Sequence, residues 1–192
     1  MIPPALLACA PNVAPVTVQA IAQVESGDNP LAVNVNGTGV QPTPAGNAQE
    51  AARLAERYIA RGYSVDIGLM QVNSRNLAAL GVTVEQVLDP CRNIHAAATI
   101  LTADYAAAAR TRGDGKAALQ AALSAYNTGD FYRGFTNGYV ARYYGPGSVP
   151  ALSGGVHEAA AAKQAKPPPP PPNPYTASTT VFAGEATHVR IE

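Results

Sequence analysis

Ile21-Ala22-Gln23-Val24-Glu25-Ser26-Gly27-Asp28-Asn29-Pro30-Leu31-Ala32 decides how this chain is read, because it sets a carboxylate on the apolar side of a helix that is about to end. Upstream, Pro15 suits a first helical turn, Val18, Ile21, Ala22 and Glu25 recur at i, i+3, i+4 and i+7, and Gly27 supplies a stop. Glu25 therefore shares a stripe with Ile21 and Ala22 and lies in the last turn, where the helix carbonyls carry negative partial charge. Both features disfavour its ionised form. Cleavage of a glycosidic bond needs such an acid, since the leaving oxygen must be protonated near neutral pH. On spacing alone the commoner reading is a terminal glutamate reaching into solvent, and periodicity cannot overturn it.

Working outward, residues 33 to 40 alternate around Asn36-Gly37 and predict a small β-hairpin. Ala48 to Arg61 is amphipathic, with Ala51, Leu54, Ala55, Tyr58 and Ile59 on one face and Gly62 as its stop. Short helices follow at Ser74 to Leu80 and Thr83 to Leu88, the second opening with a Thr83/Gln86 capping box. Asp89-Pro90 caps and starts the longest helix, which buries Ile94, Ala97, Ala98, Leu101 and Tyr105 and stops near Gly113. Asp114 is expected to open the next, with Leu119, Ala122, Leu123 and Tyr126 inward, and Thr136 to Tyr144 forms a last one. The folded part is mainly α.

Past Gly145 the composition changes to Gly-Pro-Gly, an alanine run at 159 to 162 and consecutive prolines from Pro167 to Pro172, a run that favours an extended polyproline II rod. The expected organisation is one domain over 9–145 and an Ala/Pro-rich linker and flexible tail over 146–192. The tail's end carries strand-like pieces too short to fold alone, suited to adding a strand to a partner.

The 192 residues leave room for one domain with a real core plus an appendage. Lys+Arg and Asp+Glu each total 13, so a net charge of zero argues against nucleic acid or anionic lipid as a partner. No apolar run approaches a membrane span. Met1 to Ala10 is apolar but lacks a basic start and the length of a secretory signal, so an export leader is expected upstream. Leu6-Leu7-Ala8-Cys9 also has the form of a lipoprotein cleavage box. Cys9 and Cys91 are the only cysteines, the minimum for one bridge, with two buried thiols as the alternative. No third Cys or convergent His set suggests a metal, and His95, His157 and His188 have no metal or triad spacing. Ser26 lies in no nucleophile-elbow pattern.

Two further segments accompany the first. Gly68-Leu69-Met70-Gln71-Val72-Asn73 and Ala125-Tyr126-Asn127-Thr128-Gly129 follow the Glu25-Ser26 pair and its Asn29-Pro30 in that order. Together the three resemble the motifs of the lysozyme-like lytic transglycosylases, and the resemblance covers residues 9 to 145. Cys9-Ala10-Pro11, the long insertion between the first two motifs and Asp89-Pro90-Cys91-Arg92-Asn93-Ile94 are similar to the VirB1-like branch of type IV secretion and conjugation systems.

The resemblance implies a lysozyme-like α+β domain that works in the periplasm without a cofactor. Its substrate would be the peptidoglycan glycan strand, and its partners secretion or conjugation subunits reached through the tail. It also implies that Cys9 pairs with Cys91, closing about 80 residues and adding about 4 to 5 kcal/mol on the loop-entropy model. Glu25 would protonate the oxygen between N-acetylmuramic acid and N-acetylglucosamine, then take the proton of the muramoyl 6-hydroxyl as that oxygen closes onto C1. A 1,6-anhydro sugar forms without water, so one carboxylate suffices, with the substrate's acetamido group supporting the positive charge.

By the same resemblance Ser26 joins the binding set, Gly68 lets backbone approach sugar, Met70 offers a soft apolar surface and Gln71 an amide donor and acceptor. Asn73 supports these from behind. Tyr126 packs its ring while its hydroxyl reaches Glu25 or the acetamido group, Asn127 holds a sugar, and Tyr139 lines the cleft. For Met70, Tyr126 and Tyr139, plain core packing is the competing reading. Two departures stand out. Asn34 falls where relatives often carry a serine, and Asp66 is either a loop-capping residue or a second carboxylate that would make hydrolysis feasible. The alternatives in function are a hydrolytic muramidase and a weakly active glycan-binding assembly factor.

Overall fold

The computed structural model describes residues 1–144. The tail expected over 146–192, with its polyproline run, His157 and His188, lies outside the described residues. Helix α1 (Pro4–Leu7) leads into α2 (Pro15–Ser26), β1 (Val33–Val35), α3 (Ala48–Ile59), β2 (Val65–Ile67) and β3 (Val72–Asn73). A 3-10 turn at Ser74–Asn76 runs into α4 (Leu77–Leu80), followed by α5 (Val84–Val87), α6 (Pro90–Arg112), α7 (Lys116–Thr128), α8 (Arg133–Thr136) and α9 (Ala141–Tyr144). This is a mainly helical α+β fold of lysozyme-like character. No described helix is long and apolar enough to cross a membrane.

Local chemistry sets most of these boundaries. Asp89 accepts the Arg92 amide ahead of Pro90 and so starts α6, and Gly113, at φ 71°, ends it. Thr83 and Gln86 close the expected capping box of α5. Asn47 accepts the Glu50 amide to start α3. The start of α7 differs from expectation: its cap is Gly115, at φ 111°, not Asp114. A positive φ lets the chain reverse tightly out of α6, and the Tyr105 hydroxyl accepts the Gly115 N–H at 2.9 Å, so no capping carboxylate is required.

Burying Ile94, Ala97, Ala98 and Leu101 of α6 against Ala122 and Leu123 of α7 makes the centre of the core. Small alanine side chains let these helices approach closely. Ile2, ahead of the expected boundary at residue 9, is buried in the same core. Cys9 and Cys91 are joined, across a sequence separation of 82, with Cα atoms 5.4 Å apart. The bridge fastens the segment after α1 to the first turn of α6, and it takes up the sulfur that the lipoprotein reading of Cys9 would need.

The hairpin expected over 33–40 does not form. β1 pairs instead with β2, Val33 opposite Ile67 and Val35 opposite Val65, and β2 pairs with β3, giving an antiparallel sheet in the order β1-β2-β3. The returning strand is replaced by one side chain: the Gln41 amide accepts from the Val35 N–H at 2.8 Å and donates to the Val35 carbonyl at 2.9 Å. Val40 is left exposed. Alternation in the sheet sends Val33, Val35, Val65, Ile67 and Val72 into the core. The register aligns Asn34, Asp66 and Asn73 across the opposite face.

The last helix is also interrupted. Gly134 packs α8 so tightly on α7 that an added Cβ would lie 2.6 Å from the Ser124 Cα. Gly138, at φ 81°, then turns the chain before α9. That break sends Tyr139 inward, where it is 4% exposed.

Candidate active site

An open cleft of about 780 Å³ runs between the polar face of the sheet and helices α6 and α7. Glu25, Asp66, Gln71, Asn73, Asp104, Tyr126 and Asn127 are among its lining residues. Residues from all three sequence motifs therefore meet at one surface.

Glu25 enters from the last turn of α2, which Gly27 closes in a left-handed cap. Burial pushes its carboxyl from 4.5 up to about 7; the Asp66 charge adds to the rise, while the Tyr139 hydroxyl and Arg142 pull against it. Tyr139 donates its hydroxyl to Glu25 Oε1. Because that hydrogen is spent, the Tyr143 hydroxyl, 2.8 Å away, serves as donor to the Tyr139 oxygen. Arg142 donates to the Val24 carbonyl at 2.6 Å and ties α9 to the end of α2. Oε2 of Glu25 is left as the oxygen to carry a transferable proton.

The Gly68-to-Gln71 turn is held from three helices. Ser26 of α2 donates to the Leu69 carbonyl at 2.6 Å, and Tyr126 of α7 donates to the Met70 carbonyl at 2.6 Å. From α6, Asn93 accepts the Met70 N–H at 2.7 Å and donates to the Ile67 and Val87 carbonyls, each at 2.8 Å. Asn93 is fully buried with every polar atom of its amide satisfied. Gln71 itself has φ 51°, an uncommon conformation that this scaffolding holds in place.

These contacts revise several expected roles. Ser26 faces the turn, not the cleft. Tyr126 lines the cleft with its ring, but its hydroxyl is committed to Met70 and not to Glu25; burial holds that phenol well above its ordinary range. The contact with Glu25 comes from Tyr139, which is buried behind the carboxyl and not in the cleft lining. Met70 is 1% exposed and belongs to the core, so it presents no surface to a sugar. Gly68, at φ 78°, is needed because a Cβ there would lie 2.4 Å from Asn93 Nδ2, so its close approach is to protein. Gln71 lines the cleft but spends its amide on Asn34 at 2.7 Å, Gly68 at 2.8 Å and Ala32 at 3.3 Å. Asn34 thus bonds Gln71. Asn73 braces Ser64 and Asp66, the supporting place expected for it. Asn127 lines the cleft and accepts from Asn137 Nδ2 at 3.0 Å.

Tyr143, Arg142, Asn93 and Asp104 join the site although no motif in the sequence marks them. Tyr143 could have been found from its i+4 spacing to Tyr139, whose ring it meets edge-on at 5.3 Å. Asp104 lines the cleft from α6, and burial pushes its carboxyl up to about 6. An aspartate on an otherwise alanine-rich helix carries no pattern that marks it out.

A carboxyl at the end of a buried helix, facing a polar sheet across an open cleft, completes the lysozyme-like α+β arrangement. The chain belongs to the Transglycosylase SLT domain family, which matches residues 5–143. It is similar to Protein virB1 of Agrobacterium fabrum, 49% identical over 132 residues that cover 69% of this chain and 53% of that protein. Type IV secretion system protein virB1 of Brucella abortus is 41% identical over 138 residues, covering 70% of this chain and 58% of its own length. The chain thus spans about half the length of the curated relatives it matches. No solved structure matches it significantly.

Proposed function

We propose that this protein is a peptidoglycan lytic transglycosylase that opens the wall locally, in the periplasm, for a type IV secretion or conjugation apparatus. The observation that carries the reading is Glu25: a carboxyl on the wall of an open cleft, fixed through Oε1 by Tyr139, whose pKa burial raises to about 7 so that it can both hold and release a proton near neutral pH. In the first step the Glu25 proton passes to the oxygen between N-acetylmuramic acid and N-acetylglucosamine as the C1–O bond breaks. In the second, the muramoyl 6-hydroxyl closes onto C1 and returns its proton to the Glu25 carboxylate. No water is consumed and the acid is regenerated. Residues 9–145 would form the catalytic domain, and the tail over 146–192 would contact subunits of the apparatus. The names of the relatives support the secretion context.

One observation favours a second reading. Asp66 lines the same cleft as Glu25, and two carboxylates are what a hydrolytic muramidase uses. Mass spectrometry of digested wall sacculi separates the two. Anhydro ends made by wild type and absent with Glu25→Gln are expected; reducing ends would replace the transglycosylase reading by the hydrolytic one.

A further inference from the structure

Four charged side chains line the cleft: Glu25, Asp66, Arg75 and Asp104. Glu25 is bonded by Tyr139, and the two oxygens of Asp66 accept from Asn73 at 2.6 Å and Asn36 at 2.8 Å. Arg75 is exposed and makes no ion pair with Asp104. Asp104 stands apart: it is partly buried, yet no described residue donates a hydrogen bond to it or pairs with its charge.

Its place on α6 sets it in the cleft. Ile94, Ala97, Ala98 and Leu101 turn to the core, while Ile100 and Asp104, one turn apart, both line the cleft. The Tyr126 phenol is within reach of the charges of both Glu25 and Asp104, so the two carboxyls share one stretch of it. Burial without a donor pushes the Asp104 carboxyl up to about 6, and near neutral pH most of it is ionised and unsatisfied. A sugar hydroxyl or acetamido group is served as well by an amide, such as that of Asn127 in the same lining, without the cost of half-burying a charge. An uncompensated anion in this position suits a cation, whose hydrogens supply the missing donors.

We propose that Asp104 binds the free ammonium of the diamino acid in the stem peptide, so that the cleft favours glycan strands that still carry their peptides. The inference rests on the wall-cutting reading above and adds to it a preference among strands. The N-acetylated sugar rings are neutral, and this ammonium is the cation that a peptide-bearing strand offers. Asp104 touches no reacting atom and neither gives nor takes a proton. It holds a substituent equally before and during bond cleavage, so its contribution falls on KM and not on kcat.

The test uses the full chain and soluble glycan strands freed from sacculi by an endopeptidase, either untreated or with their amino groups acetylated by acetic anhydride. Acetylation removes the ammonium and leaves the sugars and the peptide carboxylates. Wild type should show a KM raised about tenfold on acetylated strands, with kcat unchanged. Asp104→Asn, checked for folding by thermal melting, should show that raised KM on both preparations and lose nothing more on acetylation. Wild type that cuts both preparations with the same KM overturns the inference, whether or not Asp104→Asn folds, and leaves the wall-cutting reading standing. A folded Asp104→Asn that still loses tenfold on acetylation places the ammonium against another residue and overturns it too. Wild type that cuts neither preparation brings down the wall-cutting reading and this inference with it.

Discussion

Tyr139 donates its hydroxyl to Glu25 across 114 positions of sequence, and the Tyr143 hydroxyl backs it at 2.8 Å. The pair converts a side chain at a helix end into one with a fixed orientation. Both phenols are buried, and burial keeps them protonated as donors well above their ordinary range. Because a donor to Glu25 stabilises the carboxylate, Tyr139 partly offsets the rise caused by burial.

Tyr139→Phe removes that donor and keeps the ring. The alkaline limb of wall-cutting activity should move to higher pH, because the anion of Glu25 has lost its support. Loss of orientation should lower kcat by about tenfold, in keeping with one lost hydrogen bond to a charged group. Rate–pH profiles on sacculi check both, and a limb moved to lower pH would contradict the assignment.

Tyr126→Phe should behave differently, although Tyr126 lies in the motif and lines the cleft. Its hydroxyl holds the Met70 carbonyl. Denaturant unfolding should show a loss of about 1 to 3 kcal/mol, the cost of leaving a buried carbonyl unpaired. The alkaline limb should stay where it is in wild type.

Much of the fold could be read in the chain because the signals were local. Asp89-Pro90, Thr83 with Gln86 and the apolar period of 94 to 101 act within a turn or two, and each appears where expected. The sheet could not be read, because β1 finds its partner across the segment that contains α3, and the valines of 33 to 35 carry no mark of which strand they will meet. The site divides in the same way. The motifs single out Glu25, Gln71 and Tyr126, which line one cleft, yet the bond to Glu25 comes from Tyr139, inward only because Gly138 breaks the last helix. Gly68 looked like a sugar-approach glycine, and its true neighbour, Asn93, sits 25 residues on and inside the core.

Gly68→Ala tests that neighbour. The new methyl would meet Asn93 Nδ2 at 2.4 Å in a backbone conformation that L side chains rarely adopt. Moving Asn93 breaks its bonds to Ile67 and Val87. A loss of about 2 to 4 kcal/mol is expected in denaturant unfolding. A variant as stable as wild type would mean that the turn is free to open toward the cleft.

The protonation of Glu25 also has a cost in stability. Unfolded, the carboxyl titrates near 4.5, and folded it titrates at about 7. Between those values the folded protein holds a proton that the unfolded chain releases, so stability is fully present below the lower value and is lost as pH rises through the upper one. Glu25→Gln carries no such penalty. Its stability advantage over wild type should grow across that window to about 2 to 3 kcal/mol at pH 8, less than the full shift because the cleft is open to solvent. Thermal melts at a series of pH values check the sign, and an advantage that shrinks with rising pH would contradict it.

Direct titration of the Glu25 carboxyl carbon by NMR asks most of the whole reading, with the resonance assigned by its disappearance in Glu25→Gln. A midpoint near 7 is expected. A midpoint near 4.5, the value of an exposed glutamate, would mean that the group is ionised at neutral pH and has no proton to give to a glycosidic oxygen.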